Sequence, residues 1–228
     1  MSEKNYTYMV EKYPNLLKYF ASKNPGFHFV LISPLLGFFL YQSLSLNVSF
    51  LTVVGTLLAG VLWWSFLEYA IHRWAYHTHF KSKFMNYFLG SFHLYHHAKM
   101  EDRRVYNAGF LMVYLMAPLI LSPFYLLTQS LALTSLFGLG VIGFYFFYEC
   151  VHFLLHYKAY DSGYLNWIQR YHFYHHEKRP DKNFGNTSDL WDRLLGTFDS
   201  RYRDYNLSLK AKKTLITQDK ESHGLTQS

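Results

Sequence analysis

The sequence is short of charge and of cysteine, and each shortage excludes a class of protein. Asp, Glu, Lys and Arg make up only 16% of the 228 residues, which is well below the roughly 25% of a soluble domain. Cys150 is the only cysteine, so a framework of disulfides within the chain is excluded. Half of the residues are apolar, and this excludes disorder as the dominant state.

The missing charges leave two runs of 44 residues, 24–67 and 105–148, without any Asp, Glu, Lys or Arg. As a helix, each run would be about 66 Å long, roughly twice the hydrocarbon core of a bilayer, about 30 Å. Each run therefore predicts two membrane spans joined by a short turn. The predicted fold is all-α, an integral membrane four-helix bundle made of two hairpins. Its spans cover approximately residues 27–46, 48–70, 108–127 and 133–156.

Basic residues mark one side of this bundle. Four lysines precede the first pair of spans, six Lys or Arg lie between the pairs, twelve follow the second pair, and none lies in the two turns. By the positive-inside rule, both termini and the region between the pairs are expected in the cytoplasm. The net charge of +7 favours anionic lipids as partners. A nucleic acid is not expected as a partner, because the sequence has neither a basic helix nor an RNA-binding aromatic motif.

Composition also divides the chain into three parts. Residues 1–26 are expected to form an N-terminal interfacial segment, residues 27–204 the membrane domain, and residues 205–228 a loosely ordered polar tail.

Ten of the thirteen histidines follow a pattern that occurs twice. In each half, a pair of histidines at the end of a span precedes a His-x-x-His-His cluster by 16 residues, and a glutamate precedes the pair. The halves are offset by about 80 residues, which indicates an internal duplication. The ten are His72, His77, His93, His96, His97, His152, His156, His172, His175 and His176.

Helical spacing allows most of these imidazoles to converge. Each cluster has i, i+3, i+4 spacing, and His152 and His156 are four residues apart, so each set shares one helix face. His72 and His77 are five residues apart, about 140° around an ideal α-helix. Three explanations are open for that pair: a π-bulge, the end of the helix, or two different metals.

The number of imidazoles predicts two metal ions with four or five histidines each, because one octahedral ion takes only six ligands. Neutral imidazole suits Zn, Fe, Cu and Ni. The histidines are expected at the cytoplasmic end of the bundle, as a His-rich helical region that caps it. Neighbouring side chains that could orient the rings are Glu68, Glu149, Asn183, Asp189 and Asp192.

Two aromatic bands, 63–66 and 144–148, lie one to two turns deeper in the spans than His72 and His152. They either form the wall of an acyl pocket or pack as ordinary core and interface residues.

The four histidine motifs in this order resemble those of the membrane fatty acid hydroxylase / sterol desaturase superfamily, and look most like those of the fatty acid 2-hydroxylases. The segment 183–197 is similar to the closing segment of that family, and the resemblance covers about residues 63–198. One departure is Leu89, four residues before His93, where those hydroxylases are expected to have a further histidine.

The resemblance implies a non-haem di-iron centre held by the ten histidines, with zinc as the alternative occupant in isolated protein. It also implies O₂ as co-substrate and hydroxylation of a fatty-acyl or related lipid chain that enters from the bilayer. No cytochrome b5-like haem domain precedes the spans in this sequence, so electrons are expected from a separate donor protein.

Alternatives with the same metal chemistry are a sterol desaturase, a sterol C-4 oxidase and a carotenoid hydroxylase. A metal transporter without enzymatic activity is a more distant alternative. The ligands of a transporter would lie near the bilayer midplane, whereas nearly all of the patterned histidines lie at one end of the predicted spans.

Overall fold

The computed structural model describes residues 9–13, 19, 21–22 and 25–216, and regular structure in these residues is almost entirely helical. Much of the expected interfacial segment 1–26, and all residues after 216, lie outside the described part. The α-helices are α1 (Met9–Lys12), α2 (Pro25–Ser43), α3 (Phe50–Ala70), α4 (Lys83–Met85), α5 (Ser91–Ala98), α6 (Phe110–Thr128), α7 (Leu131–Leu155), α8 (Gly163–Glu177), α9 (Leu190–Leu194) and α10 (Leu209–Lys213).

Shorter elements connect these helices. One antiparallel pair of two-residue strands, Ala21–Ser22 and Asn107–Ala108, joins the chain before α2 to the chain before α6. The remaining elements are π-helices at Ile71–Tyr76 and Asn86–Gly90 and 3-10 helices at Arg103–Val105 and Ser200–Asp204.

The four long helices α2, α3, α6 and α7 are long and apolar enough to cross a membrane. They confirm the predicted bundle of two hairpins, and their ends differ from the predicted ends by three residues at most. The second hairpin turns within two residues. Gln129 ends α6 with a left-handed φ of 50°, and the side chain of Ser130 accepts a hydrogen bond from the backbone of Leu133 to begin α7.

Helices α3 and α7 cross closely at two glycines. A Cβ atom on Gly60 would lie 2.2 Å from the carbonyl oxygen of Phe137, and one on Gly140 would lie 2.2 Å from that of Leu57. Only glycine fits at such a crossing, because the backbone oxygens cannot move aside. The two glycines are 80 residues apart in sequence, and so are Leu57 and Phe137. The two contacts therefore involve equivalent positions of the two halves and support the internal duplication.

The crossing helices run in the same direction, since Trp64 and Tyr145, which follow the two glycines, also meet with their ring centroids 4.9 Å apart. Their C-terminal ends therefore lie at the same end of the bundle. Each helix leads directly into a pair of histidines, and α5 and α8 carry the two His-x-x-His-His clusters to that end.

The chain remains packed well beyond Tyr205, where the composition predicted a loose tail. Tyr205, Ala211 and Leu215 are buried in a cluster with residues of α7 and α8, and the backbone of Ile216 donates a hydrogen bond to the carbonyl of His156. Ala211 and Leu215 are four residues apart and form an apolar face in an otherwise basic segment, and this face packs the chain against the bundle as far as residue 216.

Candidate metal centre

Nine of the ten patterned histidines form two groups, in each of which the ligand nitrogens lie within 4.8 Å of one another. The tenth, His176, lies between the groups. Its ring stacks on that of His97 at 3.9 Å and is 4.4 Å from that of His172. The first group contains His72, His77, His93, His97 and His175, and the second contains His96, His152, His156 and His172.

Each group takes most of its histidines from one half of the chain and one histidine from the other half. The central histidine of the first cluster, His96, joins the second group, and its counterpart His175 joins the first. The rings of His96 and His156 are 4.7 Å apart, and those of His175 and His72 are 4.6 Å apart. The number of imidazoles predicted two groups but did not reveal this exchange.

A π-helix explains the unusual spacing of the first pair. Residues Ile71–Tyr76 continue α3 as a π-helix, in which residues five apart lie one above the other. His72 and His77 therefore share a face, with ring centroids 5.1 Å apart. Of the three explanations left open by the sequence, the structure has the first, and both histidines belong to one group.

Four imidazoles are oriented by hydrogen bonds from Nδ1 to oxygens of two loops. A ring that donates from Nδ1 and remains neutral presents the lone pair of Nε2. The four bonds run from His72 to the carbonyl of Phe184 (2.5 Å), from His152 to the carbonyl of Tyr106 (2.8 Å), from His172 to Oδ1 of Asn186 (2.9 Å) and from His175 to the carbonyl of Lys182 (2.6 Å).

Within the groups, Nε2 atoms are as close as ligands of a single ion. The distance is 2.9 Å between His77 and His93, 2.8 Å between His93 and His97, and 3.2 Å between His77 and His175. Two imidazole nitrogens bound at about 2.0–2.1 Å and 90° apart on one metal would be about 3.0 Å from each other. Lone pairs this close repel one another unless a proton or a metal ion lies between them.

Several buried nitrogens have no hydrogen-bond partner among the described residues: Nε2 of His72, and both ring nitrogens of His96 and of His176. Burial lowers the pKa of His97 and His176 well below the usual value, and the neighbouring imidazoles lower it further. At neutral pH these rings are therefore uncharged, which is the form that binds a metal. The donor set fits two transition-metal ions.

Two buried glutamates connect the halves in the same crossed manner. Glu68 on α3 accepts hydrogen bonds from the backbone of Asn186 and Thr187 at 2.6 and 2.8 Å. Glu149 on α7 accepts hydrogen bonds from the side chain of Asn107 and, at 3.4 Å, from the backbone of Ala108. Each glutamate therefore holds the loop that carries anchoring oxygens for the histidines.

Three further side chains were predicted to orient the histidine rings, and the structure places two of them at the loop 182–187 and one at the surface. Asp192 is fully buried and accepts hydrogen bonds from the backbone of Phe184 and Gly185 at 2.9 and 2.8 Å. Asn183 exchanges two hydrogen bonds with the backbone of Asp199, and so fixes the start of the same loop. Asp189 instead pairs with Arg193 at 2.7 Å, with both side chains partly exposed.

The sequence analysis missed the loop residues that anchor the rings. Tyr106, Phe184 and Lys182 act through backbone carbonyls, which no side-chain pattern can show. Asn107 and Asn186 could have been found, because they are 79 residues apart and thus occupy equivalent positions in the duplication.

A cavity of about 300 Å³ extends from the histidines into the bundle. Its wall contains His72, His93, His96 and His152, which come from both groups. Of the aromatic bands, Trp64, Tyr145 and Tyr148 line the cavity, whereas Trp63 packs in the core. The apolar part of the wall comes mainly from α6 and α7 and includes Met112, Val113, Met116, Ala117, Ile120, Leu121, Val141 and Ile142.

The sequence matches the family model described as fatty acid hydroxylase over residues 57–197, more than half of the chain. This chain belongs to the fatty acid hydroxylase family. The matched region contains all ten patterned histidines, Glu68, Glu149 and the anchoring loops, so the family assignment and the geometry refer to the same residues.

Among curated members of the fatty acid hydroxylase family, the chain is 30% identical over 162 residues to "Dihydroceramide fatty acyl 2-hydroxylase FAH1" of Arabidopsis thaliana. It is 32% identical over 145 residues to "Ceramide very long chain fatty acid hydroxylase SCS7" of Saccharomyces cerevisiae. The matches cover 68% and 61% of this chain, but only 65% of the plant relative and 36% of the yeast relative. The chain therefore spans less than two thirds of these relatives.

The fold of this fatty acid hydroxylase family member is similar to that of a solved structure of full-length scs7p in which only the hydroxylase domain is visible. The TM-score is 0.64 at 25% sequence identity, and the match covers 88% of this chain and 72% of the other. The similarity therefore includes the spans as well as the histidine-bearing end.

Proposed function

We propose that this member of the fatty acid hydroxylase family is a membrane-embedded hydroxylase that uses O₂ to hydroxylate a lipid acyl chain. One observation carries this proposal: histidines of both groups form one end of a cavity whose remaining wall is largely apolar and lies between membrane-spanning helices. An acyl chain in that cavity would have one of its C–H bonds next to the histidines.

Two iron ions are the metals that we infer for the two groups, and they would supply the oxidation of an unactivated C–H bond by O₂. Five histidines would hold the first ion, and His176 would complete the second set beside His96, His152, His156 and His172. The Nδ1 hydrogen bonds orient rings in both sets, so the nitrogens are arranged before an ion binds.

The apolar wall would exclude water and align the chain. From His152 to Val141 the cavity follows α7 for eleven residues, about 16 Å of helix. An extended acyl chain fits a space of this length between the helices. One oxygen atom of O₂ would enter the C–H bond as hydroxyl, and the other would leave as water after two electrons and two protons arrive.

We infer that a separate donor protein supplies these electrons on the cytoplasmic side, where the positive-inside rule places the histidine-bearing end and both termini. Relatives named as hydroxylases of dihydroceramide and ceramide acyl chains support an amide-linked acyl chain as the substrate class, with hydroxylation at the 2-position.

The test is lipid profiling by mass spectrometry of cells with and without the protein, grown under ¹⁸O₂. We expect amide-linked lipids that carry one ¹⁸O atom on the acyl chain only when the protein is present. His175→Ala should abolish these products, whereas His79→Ala, at an exposed histidine outside both groups, should not. Products lighter by two hydrogens, or oxygen incorporated on a sterol, would contradict the proposal.

A further inference from the structure

The short helix α9 lies beside a membrane span although it follows the histidine clusters in sequence. Nε1 of Trp191 donates a hydrogen bond to Oγ of Ser65 at 2.9 Å, and its ring lies 5.1 Å from that of Phe66. Ser65 is fifteen residues after Phe50, where α3 begins, or about 22 Å along the helix. This depth is inside a hydrocarbon core of about 30 Å, so the Trp191 side chain places the inner part of α9 at the level of the bilayer.

The outer face of α9 is apolar. Leu194 is 65% exposed, Leu190 41% and Leu195 39%. Exposing such a patch to water would cost free energy in proportion to its apolar area, whereas contact with acyl chains removes that cost. The one ion pair here, Arg193 with Asp189, makes bonds of 2.7 and 2.8 Å from two guanidinium nitrogens and so neutralises its own charges.

Aromatic residues beside α9 also indicate the edge of a bilayer. Trp74 is 47% exposed, and its ring lies 6.2 Å from that of Phe66. Tryptophan is enriched where the hydrocarbon core meets the headgroups. The rings of Trp74 and of Trp191 in α9 therefore both lie beside Phe66 of α3.

The inner face of α9 reaches the metal centre through Asp192. Its carboxylate binds the backbone of Phe184 and Gly185 and accepts a hydrogen bond from Thr197 at 2.7 Å. These bonds fix the loop 182–187, called the anchoring loop below. Oxygens of this loop orient His72, His172 and His175, which belong to both groups.

We propose that α9 is a membrane anchor: Leu190, Leu194 and Leu195 insert among lipid acyl chains and thereby hold Asp192 and the anchoring loop in position. The partner of this surface is the bilayer itself. A lipid contact at one face of a five-residue helix then stabilises metal binding at the other face. This role is independent of the substrate and of the reaction.

Fluorescence quenching tests the lipid contact. In a Cys150→Ser background, a bimane label is attached to Leu194→Cys, to Leu119→Cys on the exposed surface of α6, and to Lys178→Cys after α8. In phosphatidylcholine vesicles we expect nitroxide-labelled lipid to quench the labels at 194 and 119, and aqueous iodide to quench the label at 178. A label at 194 that iodide quenches as strongly as the label at 178 overturns the anchor.

Metal retention tests the connection to the histidines. We expect Leu194→Glu to lose metal to a chelator on the order of tenfold faster than the unmodified protein. Mutations of residues that orient metal ligands typically weaken metal binding by about this factor. Leu194→Met, which preserves the apolar contact, should retain metal like the unmodified protein. Equal retention by Leu194→Glu overturns the connection. If that variant does not fold, the quenching experiment still decides the lipid contact, and neither measurement depends on hydroxylase activity.

Discussion

Individual residues divide into those that the sequence could reveal and those that depend on tertiary contacts. The convergence of the histidines was predicted from their repeated pattern, because helical geometry puts residues at these spacings on one face, and the glutamates at positions 68 and 149 were singled out because each precedes a histidine pair. The exchange of His96 and His175 between the groups was not found. The exchange depends on how α5 and α8 pack against each other over the ends of α3 and α7. This tertiary packing cannot be predicted from the spacing of residues within one helix.

The exchanged histidines give a prediction at the scale of single residues. His96→Ala removes a ligand from the second group and His175→Ala removes one from the first. We expect each variant to bind about one metal ion where the unmodified protein binds about two, because losing one imidazole weakens only one set. Elemental analysis of purified protein measures this ratio. His79→Ala is the control and should retain the full amount; two retained ions in both ligand variants would remove these residues from the metal centre.

Helices and their junctions were predicted with different success. The charge-free runs gave four spans, since length and hydropathy determine them. The π-helix at Ile71–Tyr76 remained one of three possibilities, because five-residue spacing of two histidines is also compatible with a helix end. The packed segment up to Ile216 was missed, since its buried residues are few and stand among lysines.

The helix crossing gives a prediction at the scale of elements. Gly60→Ala and Gly140→Ala each place a methyl group against a backbone oxygen, so α3 and α7 must separate. Overpacking of this kind costs about 1–3 kcal/mol, and we expect a lower Tm and weaker metal retention. Thermal unfolding in detergent measures the first effect and elemental analysis the second.

Matched controls lie on the same helices. A Cβ atom on Gly55 of α3 or on Gly143 of α7 would meet nothing within 4 Å among the described residues. Gly55→Ala and Gly143→Ala should therefore leave the Tm unchanged or raise it slightly, because alanine favours the helix over glycine. A Tm for Gly60→Ala equal to that of Gly55→Ala would contradict the close crossing.

The whole molecule gives a prediction about membrane topology. Basic residues flank the spans at one end only, and within the described part of the chain four helices are long and apolar enough to span a membrane. We expect a reporter fused after Leu46 to lie on the face opposite a reporter fused at Ser228, with the latter in the cytoplasm. Paired alkaline phosphatase and green fluorescent protein fusions would measure this. Reporters on the same face would be incompatible with two complete hairpins.

The crossed architecture has an evolutionary consequence. Neither half of the chain contains a full set of ligands, because each set needs a histidine from the other half, and each glutamate secures the opposite loop. An ancestor with a single hairpin would have been incomplete as a monomer and complete as a homodimer with two-fold symmetry. Gene fusion would then have joined the two hairpins in one chain. After fusion, the sequences of the two halves could diverge independently of each other.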